Sequence, residues 1–173
     1  VSLANKHNLL IVEDAAQGIN SYYQDSHLGS IGDLGCLSFH ETKNIHCGEG
    51  GALLINNEKF VERAEIVRQK GTNRNQFLRG IVDKYTWVDL GSSYLHNELS
   101  SAFLWGQLQN IEDSTQHRLE IWNRYKKKLL GFCNKFNFEI TFLPNYSKHN
   151  AHLFYIKFRF KTITYRFCNF ICF

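Results

Sequence analysis

Methionine is missing from all 173 residues, and proline occurs once, at Pro144, where it marks a loop ahead of the last strand-like segment. Because the opening Val1-Ser2-Leu3-Ala4-Asn5-Lys6 reads as the interior of a helix, the missing methionine leads to the expectation of a fragment whose start lies elsewhere. No apolar run approaches the roughly 18 residues a membrane-spanning helix needs, and no signal peptide precedes the first strand, so the cytoplasm is the expected compartment. The five cysteines, Cys36, Cys47, Cys133, Cys168 and Cys172, are odd in number and lack Cys-x-x-Cys or histidine-containing zinc spacing; they read as reduced thiols. The eight histidines form no metal pattern, and no metal is expected. A large excess of either charge is missing too. The net balance is +4, and the one dense basic run, Lys126-Lys127-Lys128, reads as a solvated helix face, which argues against nucleic acid as a partner. There is no internal repeat and no low-complexity tract.

What is present is a chain long enough for one ordinary domain, with 43% apolar residues to fill its core. Leu9-Leu10-Ile11-Val12 is a run of branched apolar residues and predicts a strand buried on both faces, running into Glu13-Asp14. Leu34 to Phe39 and Ala52 to Ile55 read as two further short strands. A helix is predicted from Asn56 or Asn57, with Asn57 as its N-cap, Phe60, Ala64 and Val67 as its apolar stripe and Gly71 as its stop. Asn97 is predicted to cap one longer helix through Leu104, Leu108, Ile111, Trp122, Tyr125 and Leu129, its stripe interrupted at Thr115 and Arg118. That interruption makes it a core and linking helix rather than a coiled coil. Leu153 to Phe160 alternates as a strand does.

Two runs carry chemistry. Lys43 lies in Ser38-Phe39-His40-Glu41-Thr42-Lys43-Asn44, just past a strand end and ahead of Gly48-Glu49-Gly50-Gly51. A lysine among small and hydroxyl residues is suited to form a Schiff base with a carbonyl when its charge is destabilised; the plainer reading is a solvated loop charge. Asp14 ends the first strand, and in open α/β sheets ligands bind beyond the carboxyl ends of strands, so the two side chains can converge on one crevice. A carboxylate on a pyridinium nitrogen together with a Schiff-base lysine is the minimum that pyridoxal phosphate chemistry needs. The plainer reading of Asp14 is a helix N-cap.

Taken together, Val12-Glu13-Asp14-Ala15-Ala16-Gln17, Ser38 to Asn44 and Gly48 to Gly51 resemble, in order and spacing, the DegT/DnrJ/EryC1/StrS family of sugar aminotransferases. The resemblance spans about residues 1 to 160. It implies an α/β chain holding part of the fold type I aminotransferase architecture that binds pyridoxal 5'-phosphate. The division it implies runs from 1 to 131 for the latter part of the large cofactor domain with its linking helix, and from 132 to 160 for the start of the small C-terminal domain. Residues 161 to 173 form a divergent tail, expected to arise from a frameshift or truncation.

Carried over by position, the family pattern makes Lys43 the lysine that forms the Schiff base and shuttles the proton, Asp14 the partner of the pyridine nitrogen, Gln17 a contact of the ring hydroxyl and Ser38 a phosphate ligand. His40 receives a positioning role. Ser93 stands where many relatives have an asparagine that reaches the phosphate from a neighbouring subunit, which implies a homodimer. Gly71-Thr72-Asn73-Arg74, Asp83-Lys84-Tyr85-Thr86-Trp87 and Leu90-Gly91-Ser92-Ser93-Tyr94-Leu95 resemble the branch that aminates a dTDP-4-keto-6-deoxy-glucose, with glutamate as amino donor. Relatives that dehydrate the sugar carry histidine in place of the lysine, so Lys43 favours transamination. The alternative is a non-catalytic remnant that retains at most cofactor binding or dimerisation.

Overall fold

A computed structural model describes residues 1–158. The expected divergent tail and the end of the alternating strand at Phe160 lie outside the described residues. Helix α1 (Ser2–Lys6) leads to β1 (Val12–Asp14), followed by β2 (Tyr22–Tyr23), β3 (Ser26–His27), β4 (Leu34–Ser38) and β5 (Gly51–Ile55). A 3-10 turn at Glu58–Phe60 precedes α2 (Val61–Arg68), then α3 (Arg74–Leu78), α4 (Glu98–Gln109), α5 (Ile111–Leu130) and α6 (Cys133–Phe136). The described chain closes with β6 (Phe138–Ile140), β7 (Ser147–Lys148) and β8 (Ile156–Phe158).

The sheet that organises the molecule has the order β1-β4-β5. β1 and β4 are parallel, with Val12 opposite Leu34 and Asp14 opposite Cys36, so both carboxyl ends open on one edge. β5 returns antiparallel to β4, with Ser38 opposite Gly51. Two small antiparallel sheets, β3-β2-β7 and β6-β8, flank it. Phe39, Ile45 and Cys47 form the buried core cluster just past the end of β4, packed by Leu37 and Ala52 of the sheet and by Leu104, Leu108 and Ile111 of α4 and α5. A second cluster forms where Trp122 of α5 stacks edge-on against His149 and Phe154, its ring centroid 4.7 Å and 5.3 Å from theirs.

Three sequence expectations need correction. The run Leu9 to Val12 is not a strand covered on both faces: pairing starts only at Val12, whose side chain is 61% exposed, as Leu9 and Leu10 also are in large part. No described layer covers that face, so continuous apolarity here does not correspond to burial. The single long helix is two. Asn97 does cap the first, its Oδ1 accepting from the Ser100 amide at 2.9 Å, but Asn110 leaves helical geometry (φ −113°, ψ 19°) and its side chain bonds back to the Gly106 carbonyl, so α4 ends and α5 begins afresh. The alternation from Leu153 is strand only from Ile156. The helix expected after Asn57 starts as predicted at its cap, with Asn57 Oδ1 accepting from Lys59, and Gly71 sits beyond its end at φ +74°.

Between β3 and β4 the loop is bound to β1 by one side chain. Glu13 accepts from the backbone amides of Gly29 at 2.9 Å and of Ile31 and Gly32 at 2.6 Å each. Burial works to raise the Glu13 carboxyl, but the bonds from Gly32, Gly29 and Ile31 outweigh it and hold the group below its ordinary value of 4.5. The backbones here are also in direct contact: a Cβ on Gly35 would run into the carbonyl of Gly29.

Glu13→Gln is expected to lower unfolding stability near neutral pH by about 1–3 kcal/mol, because charge-assisted bonds to three amides are replaced by neutral ones. Since the folded carboxyl titrates below its unfolded value, its contribution is complete above about pH 4.5 and is lost as pH falls through the lower folded value. Urea midpoints measured against pH should therefore converge for parent and variant in acid; parallel curves would contradict this account.

Candidate active site

The parallel pairing of β1 and β4 puts Asp14 and Ser38 at one edge of the sheet. Asp14 closes β1, exposed, its Oδ1 accepting from the Ala16 amide at 3.2 Å. No helix follows, so the N-cap reading of Asp14 does not apply. Ser38 closes β4, half-buried, with Oγ accepting from the His40 amide at 3.3 Å.

Beyond Ser38 the chain folds into a tight loop that carries Lys43. The amide of Phe39 bonds to Gly50 O, that of Cys47 to Phe39 O and that of Glu41 to Gly48 O, at 2.8, 2.9 and 2.7 Å. Gly48, at φ +84°, takes the left-handed turn that the closure requires. Lys43 is held by its own amide on His40 O at 2.9 Å, and its neighbours Asn44 and Ile45 are buried, Ile45 at 2% exposure. The lysine is therefore presented by a loop whose next two residues are anchored in the core. Lys43 itself is half-buried and makes no ion pair with any carboxylate among the described residues.

His40 has a structural part in this loop. Its Nδ1 accepts from the Thr42 amide at 3.2 Å and lies 2.9 Å from Thr42 Oγ1, which leaves the proton on Nε2, 3.5 Å from Glu49.

Gln17, exposed on the loop after β1, is tied to the lysine loop through residues the sequence reading did not single out. Asn150 is 4% exposed; its Nδ2 donates to Gln17 O at 2.9 Å and to Ile19 O at 2.7 Å, while its own carbonyl accepts from Asn44 Nδ2 at 2.9 Å. Asn44 Oδ1 in turn lies 2.8 Å from His152 Nδ1, and the His152 amide donates to Asn150 Oδ1 at 3.0 Å. Ala151 between them adopts φ +52°, unusual for a residue with a side chain. The segment is held from behind by Trp122 Nε1, which donates to Leu153 O at 3.1 Å, and from the side by β7 pairing with β2. A sequence signal was available: a polar Asn-x-His triplet next to an alternating apolar run sits where a core polar cluster needs partners.

Ser93 stands apart. It is exposed and bridges antiparallel to Gln69 at the end of α2, without a hydrogen bond to Asp14, Gln17, Ser38 or Lys43. Among the described residues no group of three histidine, cysteine or acidic side chains is arranged to hold a metal, and no helix is long and apolar enough to cross a membrane. Cys36, Cys47 and Cys133 are free thiols.

The fold is a part of the architecture of the pyridoxal phosphate-dependent aminotransferases: an aminotransferase from Helicobacter pylori involved in the biosynthesis of pseudoaminic acid superimposes with a TM-score of 0.75 at 26% identity, over 90% of this chain and 40% of that one. The chain belongs to the DegT/DnrJ/EryC1/StrS aminotransferase family, whose sequence profile matches residues 1–167. It is 30% identical over 157 residues to the UDP-4-amino-4,6-dideoxy-N-acetyl-beta-L-altrosamine transaminase of Campylobacter jejuni, covering 88% of this chain and 39% of that protein. It is 27% identical over 135 residues to the GDP-perosamine synthase of Caulobacter vibrioides, covering 78% of this chain and 34% of that protein. The chain thus spans about two-fifths of the length of the relatives it matches.

Asn150→Ala is expected to lower unfolding stability by about 2–4 kcal/mol, since it strands the Gln17 and Ile19 carbonyls in a buried setting. Asn150→Asp should be no better, because a carboxylate cannot donate to either carbonyl. A chemical denaturation series would read both; a cost near zero would show that the two loops hold their places without this amide.

Proposed function

We propose that this chain carries the lysine side of a pyridoxal 5'-phosphate site in a nucleotide-sugar aminotransferase. The observation that carries the reading is Lys43, an amine without an ion partner among the described residues, presented by an anchored loop that follows β4, the parallel neighbour of the strand that ends in Asp14. The residues at that edge fit the cofactor by their chemistry: an amine for the aldehyde, a carboxylate for the ring nitrogen, a hydroxyl at Ser38 for the phosphate and an amide at Gln17 for the ring hydroxyl. When bound, pyridoxal phosphate supplies the aldehyde that takes up amino groups and a protonated ring that draws electrons from them.

In this reading Asp14 keeps the pyridine nitrogen protonated, because a nearby anion favours the charged form. Lys43 Nζ holds the cofactor between turnovers and, once released, carries a proton to carbon 4 of the sugar, a general acid/base task for which one flexible amine reaching both partners is suited. His40 positions the loop through Thr42 and Glu49. The substrates are a dTDP-4-keto-6-deoxy-glucose and glutamate, in line with the resemblance of Gly71 to Arg74, Asp83 to Trp87 and Leu90 to Leu95 to the enterobacterial dTDP-4-amino-4,6-dideoxygalactose transaminase. The product is a 4-amino-4,6-dideoxy sugar for surface polysaccharide such as enterobacterial common antigen or lipopolysaccharide, made in the cytoplasm. The exposed position of Ser93 suits the cross-subunit role in a homodimer that the family pattern gives it. The two curated relatives described above, acting on UDP- and GDP-linked sugars by their names, support the nucleotide-sugar class.

Incubating the chain with pyridoxal phosphate and reducing with borohydride is expected to attach one cofactor at Lys43, located by peptide mass. Lys43→Ala should abolish the label, and Asp14→Asn should weaken cofactor retention about tenfold or more through loss of a charge-assisted bond. Absence of label at Lys43 would favour the non-catalytic remnant.

A further inference from the structure

A ring outside the motif residues meets the turn that carries Lys43. His96 is half-buried and sits on a short piece of chain pinned at both ends. Before it, the amides of Ser92 and Tyr94 donate to Val67 O and Arg68 O at 3.0 and 3.2 Å; directly after it, Asn97 caps α4. His96 Nε2 accepts from the Gly51 amide at 3.4 Å. A backbone amide only donates, so the neutral ring carries its proton on Nδ1, which lies 3.9 Å from Cys47 Sγ. The thiol in turn donates to Glu49 O at 3.4 Å, which leaves the sulfur lone pairs to face Nδ1–H. Burial first, then the negative charge of Glu49, push the Cys47 thiol up, so it remains a protonated donor at neutral pH. Between these two contacts the ring lies against Gly50, where a Cβ would collide with Cε1 and Nε2 of His96 and with Sγ of Cys47. Gly50 does not take a left-handed φ, so the room it leaves for the imidazole is what a larger residue would spoil.

We propose that His96 is a positioning residue for Lys43: its ring clamps Cys47, Gly50 and Gly51, the return limb of the Lys43 loop, and so fixes the turn from which that lysine is presented. This deepens the reading of Lys43 as the Schiff-base amine and rests on it. The loop is closed by three bonds, from Phe39 to Gly50 O, from Cys47 to Phe39 O and from Glu41 to Gly48 O, and each has one end on the return limb. A limb free to shift would loosen all three together. Lys43 lies inside the span they close, its amide on His40 O at 2.9 Å, so its backbone moves with them. His96 holds the limb from outside the loop, on a post that α2 fixes on one side and α4 on the other. It acts through the loop backbone and not on the amine. Nε2 supplies the acceptor for Gly51, and Nδ1–H with the Cys47 thiol forms a short relay that ends on Glu49 O, so each polar atom of the ring has one role.

Long-range proton–nitrogen NMR on the nitrogen-15-labelled full chain at alkaline pH is expected to show His96 protonated on Nδ1. His96→Leu keeps the bulk but offers no acceptor. It should speed amide hydrogen exchange at Glu41 and Cys47 about three- to tenfold, leave the amides between β1 and β4 at their parent rates, and slow borohydride labelling at Lys43 by a similar factor. His96→Gln, whose amide oxygen reaches about as far out as Nε2, should restore both the exchange and the labelling, which marks the hydrogen bond and not the bulk as the cause. A ring protonated on Nε2 in the parent chain, which requires no variant to fold, would overturn the proposal. So would unchanged exchange at Glu41 and Cys47 in His96→Leu, a rise shared equally by the β1 and β4 amides, or labelling at the parent rate. The reading of Lys43 fails separately: if the parent chain takes no label, the Schiff-base role falls, while the expected tautomer and the loop-confined exchange still uphold His96 as the brace of that loop.

Discussion

One carboxamide sets the geometry on which the site depends. Asn150 uses both amide hydrogens on the loop after β1 and its main-chain carbonyl on the loop after β4, so a residue near the end of the described chain spaces two segments that lie more than a hundred positions before it. The parallel pairing of β1 and β4 brings Asp14 and Ser38 to one edge, but it says nothing about how far the Lys43 loop stands from the Gln17 loop. The Asn150 bridge does. Because the Asn150 side chain donates to two carbonyls and accepts from the His152 amide, while its main-chain carbonyl accepts from Asn44, the bridge is specific: exchanging a donor for an acceptor in that side chain leaves a buried group unpaired.

The lysine loop meets this bridge halfway. Ile45 and Phe39 bury themselves against α4 and α5, and cross-loop amide bonds from Phe39, Glu41 and Cys47 close it, so that the half-buried Lys43 is carried by a tightly bonded turn. Rigid presentation of a flexible amine is the arrangement that lets one side chain reach two partners without losing its place. Trp122 extends the same order outward, holding the carbonyl of Leu153 and the ring of His149, and thereby fixes the segment that delivers Asn150.

Much of this was legible in the sequence because it is local. A glycine-rich turn after a hydroxyl-and-lysine run, an asparagine ahead of a helix at Asn57 and Asn97, and an acid at a strand end each follow from short-range chemistry, and each is found where the pattern puts it. What was not legible depends on partners far away. The burial of Leu9 to Val12 was inferred from apolarity, yet apolarity reports what a face requires and not what is packed on it, and here the described chain leaves it open. The break at Asn110 escaped because the apolar stripe continues on both sides of it, and only the asparagine's bond to Gly106 reveals the interruption. Asn150 and His152 escaped because their value lies entirely in contacts with Gln17, Ile19 and Asn44.

The meeting of Gly29 and Gly35 has a consequence for how this chain can vary. With the two backbones touching, Gly35 opposite Glu13 and Glu13 gripping the amide of Gly29, the crossing works as a gauge of chain length: adding or removing one residue between positions 29 and 35 would push a side chain into the gap and throw Asp14 and Ser38 out of step. Drift in length is open to the surface loops elsewhere, but closed to this short connection.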